Sequence, residues 1–82
     1  MSRTPDPESL VRYLVTSLVD EPESVSIAKK LSNDSTVFEI SVHPDDVGKV
    51  IGRQGRIIKA IRTVVRAAAS VDGDHVEVEV LG

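Results

Sequence analysis

The spacing of hydrophobic residues along this chain changes several times, and the changes predict six elements of secondary structure. Over residues 7–19, apolar residues recur every three to four positions, which is typical of an amphipathic helix. The apolar stripe of this helix consists of Leu10, Val11, Leu14 and Leu18. Asp6 suits the N-cap and Pro7 the first helical position. Pro22 disfavours helical geometry in the residue before it, so we expect the helix to stop near residues 20–21.

Residues 24–31 and 36–42 alternate apolar and polar side chains, which predicts two half-buried strands. The polar cluster at residues 32–35 between them predicts a turn and therefore a hairpin. Residues 76–80 alternate in the same way and predict a third strand. The side chains expected on the apolar faces of the hairpin are Val25, Ile27, Leu31, Phe38, Ile40 and Val42.

Two helices are predicted between the second and third strands. A short one starts near Pro44 or Asp45, and Val47, Val50 and Ile51 give it one apolar face. A longer one covers residues 56–69, and its apolar arc consists of Ile57, Ile58, Ile61, Val64, Val65 and Ala68. Of these, Ile57, Ile61, Val64 and Val65 are expected in the core. Gly48 lies inside the short helix at a cost of about 1 kcal/mol relative to Ala, either as tolerated slack or as room for a ligand or the next element.

The charge of the chain is acidic overall but unevenly distributed. Residues 49–66 contain six of the ten Lys and Arg residues and no acidic residue, while the formal net charge of the chain is −3, so the remainder sums to −9. The basic residues of this segment are Lys49, Arg53, Arg56, Lys59, Arg62 and Arg66. Such a run often only solvates a helix, but the lack of compensating acids favours an attraction for polyanions.

Gly52 and Gly55 bracket Arg53 and Gln54 where the short helix gives way to the long one. Glycine adopts positive φ angles and lets a ligand approach the main chain closely. A helix that begins just after Gly55 directs free N–H groups and the positive end of its dipole toward the same place. These features predict an anion site, and a chain of phosphates is the obvious ligand.

The segment around these glycines resembles the signature of a KH domain, in which a Gly-x-x-Gly loop between two helices holds single-stranded nucleic acid. The matching residues are Gly48, Val50, Ile51, Gly52, Gly55 and Ile58. The predicted order α-β-β-α-α-β also resembles the type II KH arrangement, an α+β fold with helices on one face of a three-stranded mixed sheet. The resemblance covers almost the whole chain, 1–82, as a single KH domain, with residues 1–6 as an N-terminal extension.

The resemblance implies binding of about four unpaired nucleotides of RNA in a narrow groove. Carried over by position, the RNA-binding residues are Lys49, Val50, Ile51, Gly52, Arg53, Gln54, Gly55, Arg56, Ile58 and Lys59. The loop residues would contact phosphates, and Val47 with the aliphatic residues, together with Phe38 or Ile40 of an adjoining strand, would form the groove floor. Val50, Ile51 and Ile58 could equally belong to the core.

The chain resembles the small bacterial single-KH family often called KhpA-like. This resemblance implies an RNA-binding protein that acts as a homodimer, or as a heterodimer with a Jag-type KH and R3H protein, in post-transcriptional regulation with effects on cell shape. One four-nucleotide site binds weakly, so pairing two sites would raise affinity through effective concentration. We expect a complete protein, because the sequence starts at Met1 and contains one KH unit. We expect it to be soluble and cytoplasmic, because the sequence has no secretory signal and no transmembrane stretch.

Several other functions find little support in the residues. The chain has no cysteine, so it has no disulfide and no thiolate metal site, and its two histidines are far apart. No nucleophile and base are arranged for catalysis, so we expect neither an enzyme nor a cofactor. Phe38 and Tyr13 are the only aromatic residues, which argues against a base-stacking platform. A protein-interaction module with incidental RNA affinity remains the alternative.

Overall fold

The computed structural model describes residues 6–81, and it confirms the predicted α+β fold and the order α-β-β-α-α-β. The elements are α1 (Pro7–Thr16), β1 (Ser26–Ser32), β2 (Ser35–Ser41), α2 (Val47–Ile51), α3 (Arg56–Ser70) and β3 (His75–Leu81). Short 3-10 turns cover Pro22–Ser24, Pro44–Asp46 and Arg53–Gly55. Of the predicted extension at residues 1–6, only Asp6 lies within the described part of the chain.

The three strands form one mixed sheet in the order β1-β2-β3. β1 and β2 are antiparallel, and their register places Ser32 opposite Ser35, so the hairpin has a two-residue loop. Asn33 has a φ of 53°, a conformation that asparagine tolerates better than most residues. β2 and β3 are parallel, because the chain between them crosses the sheet through α2 and α3.

The helices cover one face of the sheet, and the core lies between the two layers. Alternate residues of β2 and β3 point into this core while their neighbours remain exposed or half-buried. The buried hydrophobic residues are Val11, Val15, Val25, Phe38, Ile40, Val50, Ile58, Ile61, Val65, Ala69, Val76 and Val78. The opposite face of the sheet carries polar side chains, among them Glu39, Glu77 and Glu79.

Helix α1 is shorter than predicted and turns a different face to the core. Asp6 caps it as expected, since its carboxylate accepts a hydrogen bond from the Ser9 N–H at 2.7 Å. It ends at Thr16, where the hydroxyl groups of Thr16 and Ser17 donate to carbonyls of the preceding turn at 2.7 and 2.6 Å. Val11 and Val15 are buried, whereas the predicted stripe of leucines lies at the margin of the core.

Two hydrophobic residues expected in the interior lie at the surface. Val64 was predicted in the core, but it is 46% exposed because it sits on the flank of α3 that borders α1 rather than the sheet. Leu31 is 78% exposed near the end of the edge strand β1, where no helix covers the sheet. The period of a helix or strand indicates which side chains share a face, but not how far the next layer extends over them.

A buried carboxylate connects the start of α2 to the segment after α1. Asp46 is 1% exposed, and its Oδ1 accepts a hydrogen bond from Lys49 Nζ at 2.8 Å. Its Oδ2 accepts one from the Glu21 N–H at 3.0 Å. Lys49 Nζ also lies 3.1 Å from a carboxylate oxygen of Asp20. These contacts fix the short helix that leads into the glycine loop.

The pKa of Asp46 is lowered chiefly by the Lys49 hydrogen bond, with help from backbone N–H groups and against the effect of burial. The folded state therefore keeps this carboxylate ionised below the usual pKa of about 3.9. Its stabilising contribution is complete above that value and is lost as the pH falls through the folded pKa.

No helix within the described residues is long and apolar enough to cross a membrane.

We predict that Asp46→Asn lowers the thermal stability of the protein at pH 7, because the ion pair between the buried Asp46 carboxylate and Lys49 is lost. The variant should also lose less stability than the wild type between pH 7 and about pH 3, since it lacks the titrating group. Thermal denaturation followed by circular dichroism at both pH values measures this. Asp45→Asn, at the exposed neighbouring position, is the control and should leave the acid dependence intact.

Candidate nucleic-acid interface

The loop between α2 and α3 has a backbone that favours glycine at two positions. Gly52 has φ 77° and ψ 172°, Gln54 has φ 58° and ψ 24°, and Gly55 has φ 72° and ψ 18°. A Cβ atom on Gly52 would lie 2.5 Å from Ile57 Cγ1, so both the backbone and the available space exclude a side chain there. At Gly55 only the positive φ favours glycine, since the nearest atom to an added Cβ is 3.9 Å away.

Helix α3 begins at this loop without a compensating negative charge. Its N-cap is Gly55, which has no side chain to cap the helix, and its first turn contains no acidic residue. Arg56 occupies the first position instead. The positive end of the helix dipole is therefore left for an external anion.

Three basic side chains surround the loop and have no carboxylate partner within residues 6–81. These are Arg53, Arg56 and Lys59, and all three are exposed. The Arg56 guanidinium donates a long hydrogen bond of 3.4 Å to the Gln54 side-chain oxygen, which keeps both groups beside the glycines. The loop and the first two turns of α3 thus form one continuous cationic surface.

The other predicted basic residues are already engaged by the protein. Lys49 was predicted to contact RNA, but its ammonium group is held by Asp46 and Asp20 on the side of α2 that faces the α1–β1 segment. The spacing of Asp46 and Lys49, three residues apart at a helix start, was a signal for this pair that the loop-centred interpretation missed. Arg66 pairs with Glu77 of β3.

The aliphatic residues of the motif divide between core and surface. Val50 is 0% and Ile58 7% exposed, so these two belong to the core and cannot offer a groove surface. Val47 and Ile51 are half-buried and, four residues apart, share one face of α2. This face could still receive a ligand.

The groove beside α2 is not formed by the strand residues that the sequence indicated. Phe38 and Ile40 lie in the centre of the core at 2% and 0% exposure, because β2 is the middle strand. The open apolar groove beside α2 is lined by Val42, Pro44, Val47 and Leu81. Leu81 was missed because the alternation of a strand does not reveal that β3 forms an edge of the sheet, and Val42 was missed because it lies just beyond the end of β2.

Gly48 faces open space on α2. A Cβ added there would meet no atom within 4 Å, so the packing of the next element does not require glycine at this position. Tolerated slack and room for a ligand both remain compatible with the fold.

Comparison with known proteins places this geometry in a family. The model of the KhpA/KhpB, KH domain family matches residues 8–80. The chain belongs to this family. The RNA-binding protein KhpA of Clostridium perfringens is 50% identical over 74 residues, which cover 90% of this chain and 99% of that protein. The protein of the same name from Streptomyces coelicolor is 45% identical over 76 residues, covering 84% and 96% of the two chains.

Solved structures outside the KhpA/KhpB family share the fold. Era of Aquifex aeolicus bound to GDP·AlF4⁻ superposes with a TM-score of 0.63 at 22% identity, over 90% of this chain and 29% of that one. Era in complex with MgGDPNP and a segment of 16S ribosomal RNA gives a TM-score of 0.65 at the same identity, over 28% of its chain. At this identity the likeness concerns the fold alone.

Alanine substitutions at Gly48 of α2 and at Gly52 of the loop should change the free energy of unfolding in opposite directions. Gly52→Ala should lower the free energy of unfolding by about 1–3 kcal/mol, because alanine is strained at this backbone conformation and its Cβ overlaps Ile57. Gly48→Ala should raise the free energy of unfolding by up to about 1 kcal/mol, because alanine favours the helix. Urea denaturation measures both. Equal effects, or a destabilising Gly48→Ala, would contradict the described loop.

Proposed function

We propose that this protein binds single-stranded RNA through the Gly-x-x-Gly loop and acts in post-transcriptional regulation in the cytoplasm. The observation that carries the proposal is the loop itself. Its glycine backbone opens onto an uncapped helix start, and three cations without carboxylate partners in the described chain stand around it. The relatives described above carry the name RNA-binding protein KhpA, which supports RNA as the ligand.

The proposed binding mode separates backbone contacts from base contacts. Phosphates lie against the main chain of Gly52 and Gly55, and the Arg53 side chain adds charge while the Gln54 amide adds hydrogen bonds. Arg56 and Lys59 continue these contacts along α3. Lys49, Val50 and Ile58 act indirectly in this proposal, because they hold α2 and the start of α3 in place.

Bases would pack against aliphatic rather than aromatic side chains. Val42, Val47 and Leu81 line the groove, and Ile51 lies on the same face of α2 as Val47. Phe38 is buried, and Tyr13 lies in a different groove, between α1 and α3. Without aromatic stacking, which contributes about 1–3 kcal/mol per base, a single site should bind weakly. Most of its affinity would come from phosphates and would fall with salt.

We predict that Arg53→Asp with Gln54→Asp abolishes RNA binding without unfolding the protein. Both side chains are exposed, and aspartate tolerates the left-handed conformation of residue 54. Fluorescence anisotropy of a labelled octanucleotide at several salt concentrations measures the loss. With about three phosphate contacts, the wild type should show a log–log salt slope of about −2.

A matched control variant makes the same change in net charge on α1, away from the loop. Ser9→Asp with Arg12→Asp alters the net charge equally on exposed positions of α1 and should bind RNA like the wild type. Equal RNA binding by the loop variant and the wild type, or no RNA binding by any of the three proteins, would contradict the proposal. The first result would favour the alternative that the loop docks a protein.

We further propose that two copies pair through the apolar groove between α1 and α3. This groove is lined by Tyr13, Leu14, Ser17, Leu18, Ile57, Ala60, Ile61 and Val64. Tyr13 is 68% and Val64 46% exposed, although both line this apolar groove. A second copy is the occupant that we favour, because a single RNA site should bind weakly and this groove adjoins the loop through Ile57, which also lies under Gly52. Twofold pairing here would bring two RNA sites together and raise affinity by avidity.

Val64→Glu should shift the protein from dimer to monomer, because it introduces a charge into this apolar face. Thr63→Glu, at the next exposed position on a different side of α3, is the control and should leave the dimer intact. Sedimentation velocity over a range of protein concentrations distinguishes the two. A wild type that remains monomeric, or equal dimer fractions in both variants, would contradict pairing through this groove. A Jag-type KH and R3H partner that binds the wild type but not Val64→Glu would indicate a heterodimer on the same face.

A further inference from the structure

Arg62 differs from every other basic residue on α3. Its side chain is half-buried, and its Nε donates a hydrogen bond of 2.9 Å to the main-chain carbonyl of Val78. No carboxylate pairs with it within residues 6–81. The protein therefore fixes this guanidinium against β3 without neutralising it, whereas Arg66 one turn later pairs with Glu77.

The hydrogen bond to the Val78 carbonyl fixes the orientation of the Arg62 guanidinium. β3 lies at the edge of the sheet and pairs with β2 on one side only, so the Val78 carbonyl faces the open edge. A guanidinium is planar, and engaging Nε orients its two Nη groups as a fork of donors. Because strand geometry repeats every second residue, the main-chain groups of Val80 face the same open edge. Arg62 thus presents directed donors beside unpaired strand groups.

Arg62 also continues the path of the proposed phosphate contacts. Arg56, Lys59 and Arg62 follow one another every three residues along α3, and Arg56 and Arg62 are separated by about 9 Å along the helix axis. Beyond Arg62, the pair formed by Arg66 and Glu77 ends the run of free positive charge. A strand of RNA held at the loop therefore meets Arg62 where the helix borders the strand edge.

We propose that Arg62 reads a guanine in the bound RNA, donating from its two Nη groups to O6 and N7 of the base. In the major groove of DNA, arginine donating to O6 and N7 of guanine is the commonest specific contact. An unpaired RNA base exposes the same edge, whereas phosphate contacts carry no sequence information. The exposed Arg53, Arg56 and Lys59 supply affinity, and the anchored Arg62 supplies discrimination. This inference rests on the proposed RNA-binding function.

The test compares octauridine RNAs that carry one central guanosine, adenosine or 7-deazaguanosine, each with a fluorescent label. Wild-type protein should bind the guanosine RNA on the order of tenfold more tightly than the adenosine RNA. It should lose much of this preference with 7-deazaguanosine, which lacks N7. Arg62→Lys keeps the charge but not the fork, so it should lose the preference while retaining the salt dependence. Arg66→Lys, the matched control, should behave like the wild type.

The outcomes separate this inference from the proposed function. Three results would overturn the role of Arg62. The wild type could bind the guanosine and adenosine RNAs equally, the Arg62→Lys variant could keep the guanine preference, or this variant could lose the same affinity for all the RNAs. If the Arg53→Asp and Gln54→Asp protein still loses binding in these cases, RNA binding by the loop stands. Absence of RNA binding by the wild type would overturn both. The 7-deazaguanosine comparison uses unaltered protein, so a guanine preference that persists without N7 would overturn the proposal even if Arg62→Lys fails to fold.

Discussion

The contact between the Gly52 backbone and the Ile57 side chain is the constraint on which the candidate site depends. Ile57 occupies the volume in which any other residue at position 52 would place its Cβ. This close approach turns the chain sharply between α2 and α3 and leaves the start of α3 open to solvent. Buried Val50 and Ile58 hold the two helices from below, and Asp46 with Lys49 fixes α2 from the side. The candidate anion site is thus the surface of this junction.

Positive and negative charges lie on different faces of the molecule. The helix face carries cations near the loop, while the outer face of the sheet carries carboxylates, with Glu39 opposite Glu79 across β2 and β3. Lys30 pairs with Glu39, and Arg66 with Glu77, so two of the basic residues near the sheet are neutralised. A polyanion is attracted to the loop and repelled from the sheet. An acidic protein can in this way hold RNA locally.

Local patterns in the sequence predicted the element order and the loop, because glycine spacing, capping by Asp6 and strand alternation act over a few residues. The same patterns could not predict which residues pack against one another when they lie far apart in the sequence. Val50 and Ile58 fit both a groove and a core, and only the sheet packed beneath them decides for the core. The bond between Arg62 and β3 joins residues 16 positions apart, and no local pattern indicates such a contact. The pairing of Lys49 with Asp20 was likewise not visible in the sequence around the loop, because Asp20 comes from an earlier segment.

The most direct test of phosphate binding at the loop is the NMR spectrum of ¹⁵N-labelled protein titrated with a short single-stranded RNA. We expect the amide signals of residues 52–56 to shift most, because phosphates lie against this stretch of main chain in the proposed complex. Smaller shifts should follow along the exposed face of α3, and the outer face of the sheet should stay unchanged. Shifts centred on the sheet, or on the groove between α1 and α3 with a silent loop, would contradict the account.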